Sequence, residues 1–289
     1  MTLSIITINY NGIAYTRKFL DSLKPFMQDD WEVIVVDNAS RQDEASLLRQ
    51  EYPWIKCIQS IENVGFSGGN NIGVDSAQGE YLFFINNDVL ISSDCFSPLL
   101  QKLQSDKGIG AISPRIKNLD GTYNYTGCAP LDRYLMRIHY RTKLIPEEQK
   151  SEETPLIHGA AVMMPASALH SIGGWPEIYF LYSEEIDLSL HLKRKGYKLW
   201  YEPKAELLHI GSATVGKKSA MNCYYNSRNR LLLYSRNLSG WQKIYALIYH
   251  LCLTVPHNSL QYLKRRETSL LKAYLEGVKD FLEGRFGKK

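Results

Sequence analysis

The chain has 289 residues, 44% of them hydrophobic and 22% charged, with a formal net charge of +4. This is ordinary globular composition, long enough for one large α/β domain or two small ones, and the mild charge gives no reason to expect a nucleic-acid partner. Five scattered cysteines with no C-x-x-C argue against a disulfide framework or structural zinc site and for a reducing, cytoplasmic setting.

The opening MTLSIITINYNG lacks a basic leader segment and reads as a strand over residues 3–8, not as a signal peptide. A helical pattern over 13–24 follows, then a strand EVIVVD (32–37), a helix near 41–51 stopped by Pro53, and a strand at 55–60. A helix over 67–77 begins in a glycine-rich run. Next comes EYLFFINNDVLI (80–91), whose apolar residues do not alternate and therefore read as a strand covered on both faces. A helix near 94–105 and a strand at 109–116 complete the series. Strands alternating with helices predict a mostly parallel central sheet flanked by helices.

The alternation fails over 118–155, a polar, turn-rich stretch that reads as a long excursion. Regular structure resumes at 156–165, followed by a helix over 184–195 and two short strands. From about residue 219 the chain is helical, basic and aromatic. No apolar stretch reaches the roughly 18 residues of a membrane span.

In open α/β sheets, ligands sit outside the carboxyl ends of the strands. Those ends carry Asn9 and Tyr10, Asp37 and Asn38, Asn63, and Asn86, Asn87 and Asp88. Each alone reads as a turn or cap; together they point to one crevice. Neither a G-x-G-x-x-G after the first strand nor a P-loop is present, which argues against a dehydrogenase or P-loop enzyme. NVGFSGGNNIG (63–73) is either a helix start with tolerated glycines or a close backbone approach to a sugar or phosphate. Glu184, Glu185 and Asp187 open a helix, where acids also suit the dipole. The preceding GGWPEIYFLY reads as an aromatic wall for sugar stacking, with Trp175 and Glu177 as acceptor contacts. His209, after an apolar run, is by itself more often structural than a ligand.

The order of TINYNG, VVDNAS, ENVGFSGGNNIG, NND, GGWPEIYFLYSEEIDLSLHLKRKGYKLWYEP and LLHIGSAT resembles the inverting glycosyltransferases of family 2, with the GT-A fold, over about residues 1–230. The likeness extends to the rhamnosyltransferase-like members that build bacterial surface polysaccharide. It implies a nucleotide-sugar-binding half (1–117), an acceptor-binding and catalytic half (118–218) and a helical extension (219–289). Tyr10 would pack on the base and Asp37 would bond its edge, with Asn9, Asn63, Gly65, Asn70, Asn86 and Asn87 lining the donor pocket. The family's D-x-D maps onto Asn86-Asn87-Asp88, making Asp88 the metal carboxylate and His209 its companion, for Mg²⁺ or Mn²⁺. An amide replaces the first acid, a departure that weakens metal affinity. Glu185 stands where the catalytic aspartate usually is, with Glu184 the second candidate and Asp187 an orienting neighbour.

The implied partners are a dTDP-, UDP- or GDP-sugar, a saccharide or polyprenyl-linked acceptor, a membrane surface on the inner face of the cell membrane for the C-terminal helices, and a second copy of the chain. Two other readings stand beside this one. A nucleotidyltransferase would need a glycine-rich, basic N-terminal loop that NYNGIAYTRK does not supply. A degenerate sugar- or lipid-binding scaffold is the reading that Asn86 and Glu185 leave open.

Overall fold

A computed structural model describes the chain except for residues 133, 144–149 and 211–218. β1 (Leu3–Asn9), β2 (Trp31–Asp37) and β4 (Tyr81–Ile85) are buried along almost their whole length, as their unbroken apolar runs require. With β3 (Lys56–Gln59) they form a parallel sheet half in the order β3-β2-β1-β4. The helices α1 (Ile13–Leu23), α2 (Glu44–Glu51) and α3 (Gly65–Asp75) lie between these strands in sequence. α1 buries Thr16, Phe19, Leu20 and Leu23, one stripe at helical spacing. Neighbouring β4 residues serve opposite faces: Phe83 belongs to one hydrophobic core and Phe84 to the other.

The second half departs from the parallel expectation. After β5 (Val89–Leu90) and α4 (Phe96–Ser105), β6 (Ile109–Asn118) does not join β4. β9 (Ala161–Pro165) lies between them, antiparallel to both. The route from β6 to β9 passes β7 (Tyr123–Tyr125) and β8 (Glu152–Glu153) and includes no crossover helix among the described residues. A return from the same end of a sheet comes back antiparallel. The sheet is therefore mixed.

β10 (Lys198–His209) follows α5 (Ala166–Ser171) and α6 (Glu184–Arg194) as one 12-residue strand, where two short ones were expected. Its register against β6 shifts between Glu202 and Glu206, a stretch that contains Pro203, which has no N–H for the ladder. Two short breaks in the hydrophobic pattern thus mark an irregularity, not a turn. The far end of β10 pairs with β5 and sets His209 opposite Val89, beside the Asn86–Asp88 segment.

The extension is helical as expected: α7 (Ala220–Asn237), α8 (Gly240–Tyr249), a π-helical turn His250–Thr254, α9 (Val255–Lys264) and α10 (Thr268–Leu282). α10 packs on α7 through Gly277, where an added Cβ would fall 2.1 Å from Ser227 Oγ. α7 is tied to α6 through the fully buried Asp187, which accepts from Arg236 Nε (3.1 Å) and Asn237 Nδ2 (2.5 Å).

Candidate functional site

The carboxyl ends of β1, β2 and β4 are joined by one buried polar network. Asn87 Nδ2 donates to Thr16 Oγ1 (2.9 Å), and that hydroxyl donates to Asn9 Oδ1 (2.7 Å). Asn9 Nδ2 in turn reaches Asp37 Oδ2 and Glu44 Oε2, each at 2.7 Å. Asp37 also accepts from the Ser40 backbone N–H at 2.9 Å. Next to it, Asn38 accepts from Val64 N and donates to the Gly65 carbonyl (2.9 Å), which anchors the start of α3. Buried polar groups of this kind are costly unless satisfied, so the network fixes where the strand ends point.

They point into a cavity of about 880 Å³ lined by Tyr10, Asn38, Asn63, Gly65 and Asn86–Asp88, with Phe180, Tyr224 and Tyr225 opposite. Asp88 is 8% exposed, and its Oδ1 has no hydrogen-bond donor. His209 Nε2 faces that oxygen at 3.2 Å, and Asn124 Nδ2 lies 3.2 Å from the other ring nitrogen, Nδ1. A carboxylate oxygen left without a donor beside an imidazole nitrogen suits a hard divalent cation. No cluster of three or more His, Cys, Asp or Glu is placed for a metal among the described residues. Such a cation would complete its shell from substrate oxygens, as Mg²⁺ does with phosphates.

The acidic start of α6 follows a strained loop. Phe180, Tyr182 and Ser183 all have left-handed φ values, 65°, 70° and 78°. Non-glycine residues keep such conformations only when the surroundings enforce them. Here α7 does so: Asn229 Nδ2 lies 2.8–3.0 Å from the carbonyls of Tyr179, Leu181 and Tyr182. Arg228 Nε donates to Asn229 Oδ1 and so orients that amide, while its Nη2 bonds the Tyr179 carbonyl. The Phe180 carbonyl accepts from Phe66 N at 2.8 Å, which joins the loop to the start of α3.

Immediately after this loop stand Glu184 and Glu185. Glu184 is 5% exposed, and its Oε2 has no partner. Burial, with the neighbouring Glu185 charge, drives its pKa well above the ordinary value. Burial also raises Glu185, against the pull of backbone hydrogen bonds. Glu185 is the less enclosed of the two. Neither carboxyl lines the cavity; they follow directly on Phe180 and Leu181, which do, and a desolvated carboxyl has the character of a proton acceptor.

Residues 4–173 match the family described as glycosyl transferase family 2. The chain belongs to that family. It is 23% identical over 263 residues to the N-acetylglucosaminyl-diphospho-decaprenol L-rhamnosyltransferase of Mycobacterium tuberculosis, covering 83% of this chain and 86% of the relative. Its fold matches the Pyrobaculum calidifontis mannosyltransferase PcManGT in complex with GDP-Man and Mn²⁺, with a TM-score of 0.59 at 15% identity over 97% of this chain and 86% of that one. It also matches GalNAc-T7 with UDP, GalNAc and Mn²⁺, with a TM-score of 0.63 at 15% identity over 86% of this chain. The chain spans about half the length of that structure (54%). These likenesses establish a GT-A fold and a glycosyltransferase of glycan synthesis.

Within the family 2 transferase, the expected site residues fall into three groups. Tyr10, Asn63, Gly65, Asn86, Asn87 and Asp88 line the cavity, and His209 stands beside Asp88. Asn9 and Asp37 are 0% exposed and Asn70 is 2% exposed, so they present no surface to a ligand. Asp37 braces the strand ends, with one oxygen accepting from Asn9 and the other from Ser40.

Trp175 forms no part of an acceptor wall. Trp175 is 2% exposed and packs edge-on against Phe66 and Phe84, which leaves no face for a sugar. Glu177 accepts from Asn71 Nδ2 at 2.7 Å, pinning its own loop to α3. Asp187 is fully buried and bound to α7 through Arg236 and Asn237.

The glycine-rich run also has a structural explanation. A Cβ on Gly65, whose φ is +79°, would fall 2.3 Å from the Phe180 carbonyl, and one on Gly73 would fall 2.5 Å from Ile6 Cγ2. The close approach is by the chain itself. Sequence reasoning missed Thr16, Glu44, Phe180 and the Arg228–Asn229 pair. Only Thr16 carried a signal, as the polar residue in the buried stripe of α1.

Proposed function

We propose that this glycosyltransferase moves a sugar, rhamnose or another hexose, from a nucleoside-diphosphate sugar to a hydroxyl of a lipid-linked saccharide, with inversion at the anomeric carbon. The observation that carries this reading is the cavity at the strand ends, in which Tyr10 and the Asn86–Asp88 segment share one wall and His209 backs Asp88. Tyr10 offers a ring to the base, and the amides of Asn63 and Asn86 offer hydrogen bonds to ribose, phosphate or sugar. Asp88 and His209 would hold Mg²⁺ or Mn²⁺, which as a Lewis acid stabilises charge on the departing diphosphate.

Glu185 takes the acceptor proton. Its raised pKa supports that role, because a base works best when its pKa approaches the working pH. Glu184 is walled in, and it serves to keep its neighbour's surroundings poor in water. The nucleotide-sugar half, the catalytic half and the helical extension correspond to residues 1–117, 118–218 and 219–289.

The acceptor class rests on the mycobacterial relative, whose name gives it a decaprenol-linked substrate. A second observation supports it. α8 exposes Trp241, Ile244, Tyr245 and Ile248, at helical spacing on one face, and Leu253, Leu260 and Leu263 continue the exposed apolar surface. Lys264, Arg265 and Arg266 are exposed at the end of α9. No helix among the described residues is long and apolar enough to cross a membrane. Aromatic and basic groups together suit the interface of an anionic bilayer, on which the extension lies.

The donor assignment is tested by calorimetry with nucleoside diphosphates and Mn²⁺. Asp88→Ala is expected to abolish the metal-dependent part of binding, and unchanged affinity would count against the metal role.

A further inference from the structure

The cavity has a second charged group that the strand-end motifs do not contain. Lys288 and Lys289, more than 190 residues beyond Asp88 in sequence, line the same cavity as Asn86–Asp88 and Tyr10. Their backbone is held in place. Gly287 N donates to the Ile178 carbonyl (2.9 Å), the Gly287 carbonyl accepts from the buried Arg228 (2.8 Å), and Lys289 N donates to Tyr225 Oη (3.0 Å). Arg228 is the residue that also steadies the loop before Glu184. The basic pair is therefore pinned to the catalytic loop and is not a free tail.

The two ammonium groups rest on surface carboxylates. Lys288 Nζ lies 3.2 Å from Glu62 and Lys289 Nζ 2.7 Å from Glu276, in pairs whose side chains are 40–68% exposed. Exposed pairs of this kind contribute little and are readily exchanged for a stronger partner. A diphosphate is such a partner, because it concentrates more negative charge on more acceptor oxygens. Both lysines line the cavity together with the single carboxylate of Asp88. Once exchanged from Glu62 and Glu276, their ammonium groups attract an anion, and the amide at Asn86 leaves the site more positive than an acid there would.

Resting on the donor reading, we propose that Lys288 and Lys289 bind the diphosphate of the nucleotide donor and stabilise it as it leaves. When the bond from the anomeric carbon to the β-phosphate oxygen breaks, its electron pair stays on that oxygen. The acceptor oxygen forms the new bond and its proton passes to Glu185. The lysines gain and lose no proton; they neutralise the charge that builds on the phosphate. They would thereby supply cationic charge to a site in which Asp88 is the one carboxylate that would hold a metal.

The test is calorimetry of dTDP, UDP and GDP, each with Mn²⁺, against the wild-type chain and Lys288→Gln/Lys289→Gln, with the matching nucleosides in parallel. The double variant is expected to lose about tenfold or more in affinity for whichever diphosphate the wild type binds. Nucleoside affinity and the ligand-free melting temperature should stay as in the wild type, and the salt dependence of diphosphate binding should become shallower. Diphosphate affinity within twofold of wild type overturns the lysine role and leaves the donor reading standing. An equal loss of nucleoside and diphosphate binding also overturns it, because that pattern means a distorted pocket. Failure of the wild type to bind any of the three diphosphates overturns the donor reading and the lysine role together.

Discussion

Thr16 holds the strand ends together with one hydroxyl. It receives a hydrogen bond from Asn87 and gives one to Asn9, so it joins the residue before Asp88 to the brace formed with Asp37 and Glu44. Valine has nearly the same shape and neither hydrogen-bonding function. Thr16→Val is therefore expected to leave Asn87 Nδ2 and Asn9 Oδ1 without that partner and to cost about 1–3 kcal/mol, read by denaturant titration. Nucleotide affinity should fall with it, because Asn87 faces the cavity. A stable variant that binds as well as wild type would show that the network is dispensable.

At this scale the sequence is legible only in part. Asp37 ends its strand as a ligand reader would, and its bracing partners, 28 and 3 residues away, are not announced by that position. Trp175 sits in a Gly-Pro setting that suits a sugar wall equally well. The rings that enclose it, Phe66 and Phe84, lie on other elements. Local pattern reports residue type and spacing; it does not report which side a long-range neighbour will occupy.

At the scale of elements, α7 governs the loop that presents the acids. One amide, Asn229, reaches three loop carbonyls, and Arg228 fixes the way it faces. Removing the amide leaves a loop with three left-handed non-glycine residues without its main restraint. Asn229→Ala is expected to destabilise the protein by about 1–3 kcal/mol and to lower kcat more than donor affinity. Equal changes in both, or none in kcat, would contradict a positioning role. This contact joins residues 47–50 apart in sequence, so nothing local announces it.

The same limit explains the sheet. The first four strands were readable because apolar runs alternate with amphipathic helices, and each crossover returns its strand parallel. β9 inserts between β4 and β6 after a long polar stretch, and strand order across such a stretch is not written in any local pattern. The sequence around Pro203 predicts two strands, because the proline and its charged neighbours break the apolar run that the β10 ladder nonetheless spans.

At the scale of the whole molecule, the extension does two things. Through Asp187, Arg228 and Asn229 it braces the catalytic loop, and through α8 it exposes Trp241, Ile244, Tyr245 and Ile248. Co-sedimentation with vesicles containing phosphatidylglycerol should retain the wild-type chain, whereas Trp241→Ser/Ile248→Ser should release it and pure phosphatidylcholine should hold it weakly. Absence of vesicle binding together with a dimer by light scattering would assign the same face to a second copy.

Glu185→Gln decides whether Glu185 is the base of the proposed inverting transfer. Burial raises the Glu185 pKa, and the base must be ionised, so wild-type activity should fall on acidification through a pH above the ordinary carboxylate value of about 4.3. With the nucleotide sugar that binds the wild type, the variant should retain donor affinity while transfer drops by about a hundred- to ten-thousandfold and that acidic limb disappears. Transfer at the wild-type rate, with the acidic limb unchanged, would contradict the account.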